Sequence, residues 1–459
     1  MSNSQNNIYL TLDQETIVAL STPKGNGAIA IIRFSGVNSV SIVDKISRLS
    51  SNKYLAELPT HTIHHGFVTN KITGQDVIEI SCHNNQFIID EIIELAIKNG
   101  ARMAGHGEFT QRAFLNNKLD LIRAEAINDL INASTQLALR KSISQVKGSL
   151  SDFIIKIEQK ILRVLALVEG SFEFFEEEKQ DLDIDNLIIT EIDEILKELN
   201  LLKVNFNQQQ QIKNGIKIAL IGQVNTGKST LFNAILGAER AIVTQIAGTT
   251  RDVIESSIYR NGNFWQLTDT AGLRETNDFI EKEGIVRSLD QAKLSDVILL
   301  VLDISRDIET HELDVYEQLV KEYKDKIIVV ANKIDCVRLS LIQDSVFYKN
   351  KNIFGSNILA VSAKDKTGLD ILEKEIENKI QKLFANLDSP FLLNKRQFNL
   401  IIELIQGFDF IKSNLIENFE YEIISHHIRH MLEKILELTG RNVNEKLLDK
   451  IFKDFCIGK

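Results

Sequence analysis

At 459 residues the chain has room for about three domains of roughly 150 residues each, and with 44% hydrophobic and 25% charged residues long disorder is excluded. The net charge of −10, from 53 Lys and Arg against 63 Asp and Glu, excludes a surface that attracts phosphate backbones as a whole, so nucleic acid, if bound, is held by a local patch or a partner. Three scattered cysteines (Cys82, Cys336, Cys456) fit a reducing, cytoplasmic setting, and the polar stretch Met1 to Tyr9 with no apolar run of about 18 residues argues against secretion and membrane spanning.

Residues 1–118 mix short β-like runs (Thr16 to Leu20, Ala28 to Phe34, Val77 to Ile80) with glycine-marked turns, which predicts an α+β unit. From Leu119 apolar residues recur at helical spacing through Ile122, Ala126, Leu130 and again through Phe153, Ile157, Ile161, Leu165, predicting two or three long helices over 119–213. The acidic run from Glu173 to Asp185 reads as a solvated turn between helices. Over 214–383 five apolar runs (Ile216 to Ile221, Phe264 to Leu267, Val297 to Leu302, Ile327 to Val330, Ile358 to Val361) alternate with helical patterns, the signature of a parallel sheet covered on both faces. Residues 384–459 turn helical again, and because so short a piece makes a small domain alone, the α/β unit reads as inserted into a helical bundle.

Gly222-Gln223-Val224-Asn225-Thr226-Gly227-Lys228-Ser229 fits GxxxxGK[ST] between an apolar strand and a helical run. Its backbone N–H groups suit phosphates, Lys228 supplies charge to the β/γ-phosphates, and the Ser229 hydroxyl suits Mg²⁺, with Thr230 following in the same turn. Asp269-Thr270-Ala271-Gly272 ends the next strand, where a carboxylate reaches Mg²⁺ through water and a glycine N–H lies beside the γ-phosphate. Asn332-Lys333-Ile334-Asp335 ends another, and an aspartate there accepts from N1–H and the exocyclic amine of guanine, which adenine does not offer. Ser362-Ala363-Lys364 supplies a second base contact, and the order of these four elements resembles P-loop GTPases of the translation-factor class, with GTP as substrate.

After the Gly272 turn stands Leu273, which cannot polarise water as the glutamine of Ras-like proteins does. Ala241 to Asp252 reads as a switch segment rich in hydroxyls and carbonyls, with Thr250 available for Mg²⁺, and Asn225 suits a monovalent cation shared with it. Glu281 and Glu283 are both placed to orient water, and both also suit a solvated helix start.

Gly248-Thr249-Thr250-Arg251-Asp252, Asp269 to Arg274, Gly107-Glu108-Phe109-Thr110-Gln111-Arg112-Ala113-Phe114-Leu115, Lys118 to Leu121 and the terminal Cys456-Ile457-Gly458-Lys459 together resemble the MnmE (TrmE) family of tRNA-modification GTPases, over nearly the whole chain. The resemblance implies a multidomain fold: an α+β tetrahydrofolate-binding and dimerising domain, an α-helical bundle domain, and an inserted α/β Ras-like G domain activated by K⁺. It implies a homodimer that works with an MnmG (GidA) family flavoprotein carrying FAD, as a heterotetramer, on the wobble uridine of certain tRNAs. By position it assigns K⁺ to Asn225, Thr244, Ile246 and Thr249, Mg²⁺ to Ser229 and Thr250, and water positioning to Glu281. The GTP-binding set then runs through Asn225 to Thr230, Thr244, Gln245, Ile246, Ala247, Gly248, Thr249, Thr250 and the three strand-end motifs. Folate contacts fall on Arg33, Glu79, Lys118 and Lys459, a carboxylate for the pterin edge and cations for the glutamyl tail. The chain departs from the family in Gly25-Asn26-Gly27, in His83-Asn84-Asn85, and in a shorter stretch between His65 and Thr73.

Cys456 reads first as an exposed or packed thiol on a helical tail and second as a nucleophile; His426, His427 and His430 carry the spacing of a metal pair without its carboxylate signature; Trp265 reads as core. The rival from another class is a regulatory or ribosome-assembly GTPase, which needs neither the N-terminal unit nor the Cys456 to Lys459 tail.

Overall fold

The computed structural model describes residues 15–23, 25, 27–47, 63–64, 67–70, 73–174, 184–203, 206, 209, 213, 215–237, 254–260, 262–269, 289–337, 351–354, 358–385, 391–416 and 420–458. In chain order the elements are β1 (Ile17–Leu20), β2 (Ile29–Ser35), α1 (Ser39–Ile46), β3 (Ile63–His64), β4 (Phe67–Asn70), β5 (Val77–His83), α2 (Gln86–Lys98), β6 (Arg102–Met103), α3 (Glu108–Leu115), α4 (Leu121–Ile131), α5 (Gln136–Val146), α6 (Ser149–Phe174) and α7 (Ile184–Lys203). There follow β7 (Ile216–Ile221), α8 (Lys228–Leu236), β8 (Ile254–Arg260), β9 (Asn263–Asp269), β10 (Val297–Asp303), α9 (Thr310–Glu322), β11 (Ile327–Asn332), α10 (Lys351–Phe354), β12 (Ile358–Ala360), α11 (Leu369–Ala385), α12 (Lys395–Ile416), α13 (Tyr421–Thr439) and α14 (Glu445–Lys453). The chain divides into two compact units, one of residues 1–128, 143–199 and 399–459, the other of residues 129–142 and 200–398. Among the described residues no helix is long and apolar enough to cross a membrane.

In the first unit a six-stranded sheet runs β3-β4-β5-β2-β1-β6, antiparallel except where β6 pairs parallel with β1. Alternation along β2 turns Ala30, Ile32 and Phe34 toward α1 and α2, where Ile42, Val43, Ile89 and Ala96 complete a core. The helical part is organised by α6, whose Ile154, Ile157, Ile161, Val164 and Val168 are buried at three- and four-residue spacing. Helix α13 packs along it, tied by Arg441–Glu158, Arg429–Glu169 and a 3.0 Å bond from Ser425 Oγ to Glu169. Among the described residues the stretch from Leu119 holds the long helices α6 and α7 and two shorter ones, α4 and α5; Thr135 caps α5 by accepting the Ala138 N–H (3.0 Å) and Gly148, at φ +106°, separates α5 from α6.

The second unit holds a sheet in the order β12-β11-β10-β7-β9-β8. Five of these strands are parallel, and β10, apolar from Val297 to Leu302, is buried along its length, as expected for a sheet covered on both faces. One side packs against Leu231, Ile235, Leu372 and Ile376, the other against Ala292, Tyr316, Leu319 and Phe354. Trp265 is fully buried on β9 and its indole N–H has no hydrogen-bond partner among the described residues. The five apolar runs thus form the parallel sheet, and to it is added β8, an antiparallel edge strand on β9 whose Ile-Glu-Ser-Ser-Ile-Tyr-Arg carries too few apolar residues to read as a strand.

Candidate functional site

The parallel register brings the carboxyl ends of the central strands together, with Leu220 opposite Asp269, Ile221 opposite Leu300, and Asp303 opposite Asn332. Ligands of open α/β sheets bind along this edge. The loop from Gly222 leaves β7 and delivers Lys228 to the first turn of α8. Asn225 adopts φ +65°, a left-handed conformation that asparagine tolerates. Gly227 adopts φ +91°, and a Cβ there would lie 2.3 Å from the Asn332 amide nitrogen, so only glycine fits.

Lys228 is buried and its ammonium donates to the carbonyls of Gly222 and Gln223, each at 2.8 Å. Thr226 is buried and its hydroxyl donates to the Gln223 carbonyl at 2.9 Å. Asn225, Ser229 and Thr230 are exposed, Ser229 and Thr230 at the start of α8, where N–H groups and the helix dipole favour an anion.

Asn332 is buried and spans two loops, its amide donating to the Thr226 carbonyl (2.9 Å) and its oxygen accepting the Ala363 N–H (3.0 Å). One side chain thus fixes the phosphate loop and the turn after β12. Asp335 is exposed; the Ser362 hydroxyl donates to it at 2.7 Å and holds its carboxyl below the ordinary aspartate range. Ser362 is itself buried and accepts the Asp365 N–H (3.0 Å), so Ser362 positions Asp335, and exposed Lys364 follows. Lys333 sits at φ +69° with its ammonium 2.6 Å from Asp303. Burial works against the charge on Asp303, but Lys333 and both the hydroxyl and N–H of Ser305 outweigh it and keep the carboxyl low.

Asp303 was missed by sequence reasoning, although it ends an apolar run as Asp269 does. Asp269 closes β9. Thr244, Gln245, Ile246, Ala247, Gly248, Thr249, Thr250, Thr270, Ala271, Gly272, Glu281 and Lys459 lie outside the described residues, as do Leu273 and Glu283.

In the first unit Arg33 and Glu79 are cross-strand partners on β2 and β5, with Arg33 Nε and Nη2 at 2.7 and 2.6 Å from Glu79 Oε1. Arg33 Nη1 also donates to the Gly458 carbonyl (2.9 Å), which accepts the Ser21 hydroxyl too (3.0 Å). The carboxyl-terminal segment is therefore laid against β1 and β2. His106 bridges to Ile457, its ring Nδ1 lies 3.1 Å from the Phe455 carbonyl, and the Gly107 N–H donates to Cys456 O at 3.2 Å. This corrects the helical-tail expectation for Cys456: α14 ends at Lys453 because buried Phe455 turns back onto Phe452, and Cys456 is exposed beyond it. Lys118 is exposed on the turn after α3, its N–H on the Ala113 carbonyl at 2.8 Å.

The Gly107–Leu115 signature serves the fold of this unit. Glu108 accepts from Arg102 at 2.7 and 2.8 Å, from Arg112 at 3.0 Å and from the Gly105 N–H at 2.8 Å. Arg112, 3% exposed, also reaches the Glu15 carbonyl and Gln75 Oε1, each at 2.9 Å. Among the described residues no group of three or more His, Cys, Asp or Glu is placed to hold a metal; His430 lies against Glu433 and His427 against the Phe410 ring.

Residues 121–456 match the family described as the MnmE helical domain, and residues 16–118 the one described as the GTP-binding protein TrmE N-terminus. A tRNA modification GTPase MnmE of Flavobacterium johnsoniae is 35% identical over 472 aligned positions, covering 98% of this chain and all of the relative. The protein of that name from Aquifex aeolicus is 38% identical, covering 97% of this chain and 100% of its own. Among solved structures, the G domain of the Thermotoga maritima FeoB iron transporter is 26% identical and covers 36% of this chain and 99% of its own, at TM-score 0.27. With full-length relatives at this identity and two adjoining family matches, the chain belongs to the MnmE (TrmE) family of tRNA modification GTPases and is a GTP hydrolase.

Proposed function

We propose that this chain is a potassium-activated GTPase that acts with an FAD-dependent partner of the MnmG (GidA) family to add a carboxymethylaminomethyl or aminomethyl group at carbon 5 of the wobble uridine of certain tRNAs. A tetrahydrofolate derivative donates the one-carbon unit, and GTP hydrolysis drives cycles of G-domain pairing. The observation that carries the reading is the assembly of Lys228, Asn332, Asp335 and Ser362 along one sheet edge in a chain that aligns end to end with tRNA modification GTPases.

In this reading residues 1–118 hold folate and pair two copies, 119–213 and 384–459 form the helical domain, and 214–383 the G domain. Lys228 meets the β/γ-phosphates and Asp335 reads guanine, with Ser362, Ala363 and Lys364 closing over the base. The donor set fits the implied ions: Ser229 presents a hydroxyl for Mg²⁺ at the start of α8, and Asn225 presents a side-chain oxygen for K⁺ on the adjoining loop. Thr250 completes the Mg²⁺ pair; Thr244, Ile246 and Thr249 complete the K⁺ set; Glu281 orients the attacking water. Bound K⁺ would supply the positive charge that Leu273 cannot. Glu79 and Arg33 fit folate as a carboxylate for the pterin edge beside a cation, with Lys118 and Lys459 toward the glutamyl tail.

The test is GTP turnover of the full chain in KCl and in NaCl at matched ionic strength, with mass in solution followed by light scattering. Hydrolysis faster in K⁺ by roughly tenfold or more, with paired G domains in the presence of a transition-state mimic, is expected. Equal rates in the two salts would overturn the cation reading.

A further inference from the structure

The Gly222–Gln223 peptide is a junction in the phosphate loop. Its carbonyl, that of Gly222, accepts the Lys228 ammonium at 2.8 Å, while its N–H, that of Gln223, donates to the Tyr316 phenol oxygen at 3.2 Å; the next carbonyl, that of Gln223, accepts Lys228 at 2.8 Å and the Thr226 hydroxyl at 2.9 Å. Because the C=O and N–H of one peptide lie in one plane, a rotation of the Gly222–Gln223 peptide would take the Gly222 carbonyl away from Lys228. Tyr316 reaches the peptide from α9, a different element, and is 5% exposed in the core beneath the sheet.

The base of that reach is rigid. One turn before Tyr316 on α9, Glu312 is buried and held by Arg306 through two bonds of 2.7 and 3.1 Å, and it also accepts the Glu309 N–H at the helix start (3.4 Å). Burial, with Glu312 nearby, pushes the Tyr316 phenol up to about 12, so it remains a neutral hydroxyl across the working pH range.

We propose that Tyr316 is a positioning residue for the nucleotide's phosphates, acting through the Gly222–Gln223 peptide to hold Lys228 in place. The proposal rests on reading residues 222–229 as the phosphate loop. Without the phenol oxygen the Gln223 N–H loses its partner, and the Gly222 carbonyl in the same peptide plane no longer has one preferred orientation toward Lys228. The effect falls on ligands that carry phosphates and spares the base, which is read from β11 and the turn after β12.

The experiment measures binding of GDP and of guanosine to the full chain, by competition against a fluorescent GDP analogue. Tyr316→Phe, which removes only the hydroxyl, is expected to weaken GDP about tenfold and to leave guanosine within about twofold. A role in the general fold would instead weaken both alike, and that result, or unchanged GDP affinity, overturns the proposal. Loss of the native Trp265 fluorescence in Tyr316→Phe also overturns it, by making the hydroxyl a requirement of the fold. Lys228→Ala in the same assay separates the two readings: it must weaken GDP and spare guanosine. If it leaves GDP unchanged, the phosphate-loop reading itself falls, whatever Tyr316→Phe does.

Discussion

The two six-stranded sheets spend their charged residues in opposite ways. In the second unit the motif residues stand on loops at the ends of buried apolar strands, and Asn225, Ser229, Asp335 and Lys364 face solvent while buried neighbours such as Asn332 and Ser362 hold them. In the first unit the equally recognisable Gly107–Leu115 stretch lies inside, where Glu108 and Arg112 are consumed by each other, by Arg102 and by backbone groups. A signature thus marks a ligand in one unit and a folding device in the other. For the carboxylates, exposure and not membership in the motif tells them apart: Asp335 stands exposed, whereas buried Glu108 has its bonds made by Arg102, Arg112 and the Gly105 N–H and has none left for a substrate.

The sharpest way to break this contrast is Glu108→Ala. It leaves two guanidinium groups without their shared carboxylate, of which Arg112 is buried, and should cost the first unit about 3 to 5 kcal/mol in chemical denaturation followed by far-UV circular dichroism. Most of that comes from Arg112, since Arg102 is a third exposed and its pair is screened. A loss below about 1 kcal/mol would make Glu108 a surface residue in energetic terms and dissolve the contrast.

Asp335→Ala probes the other side. It should weaken GDP by roughly ten- to a hundredfold, from the loss of two bonds to a charged acceptor, with little change in the unfolding midpoint because the carboxylate is exposed. Unchanged affinity with a lowered midpoint would assign Asp335 to the fold, like Glu108.

The smallest effect is that of pH. Burial favours the neutral form of Glu108, but Arg102, the Gly105 N–H and Arg112 together hold its carboxyl below the usual range. A depressed carboxyl contributes stability above its unfolded value and loses it as pH falls through the folded one. The first unit should therefore hold its stability from neutrality down to about pH 4.3 and lose it progressively below. In Glu108→Gln that acid-dependent portion should shrink in the same titration, and an unaltered acid profile would place the titrating group elsewhere.

Much of the second unit was legible from its residues, because an apolar run followed by a loop motif encodes both a buried strand and what its end presents. The phosphate loop, Asn332, Asp335 and Ser362 fall where that rule puts them. The partners of Tyr316 and Asp303 were not legible, although Asp303 closes an apolar run: each acts on a residue far along the chain, Gln223 and Lys333, and a tyrosine inside a helical pattern reads only as core. In the first unit Arg33 and Glu79 meet because β2 and β5 are paired in register, which spacing alone does not encode. The burial of Glu108 was hidden for a related reason. Its partner Arg102 lies on a two-residue strand, and Gln75 and Glu15, which anchor Arg112, come from separate turns.

The bond from Arg33 to the Gly458 carbonyl spans 425 positions, and that from Ser21 spans 437. A ribosome working at roughly 5 to 20 residues per second needs about 20 to 85 s to travel from one end of such a contact to the other. During that time β1 and β2 are already outside the ribosome while Gly458, whose left-handed backbone passes so close to Leu20 that an added Cβ would lie 2.4 Å from its carbonyl, does not yet exist. The second unit, drawn mainly from residues 200–398, emerges whole before then. Its birth order is therefore inside out: the inserted unit can finish first, and the edge formed by Ser21 and Arg33 waits for Gly458.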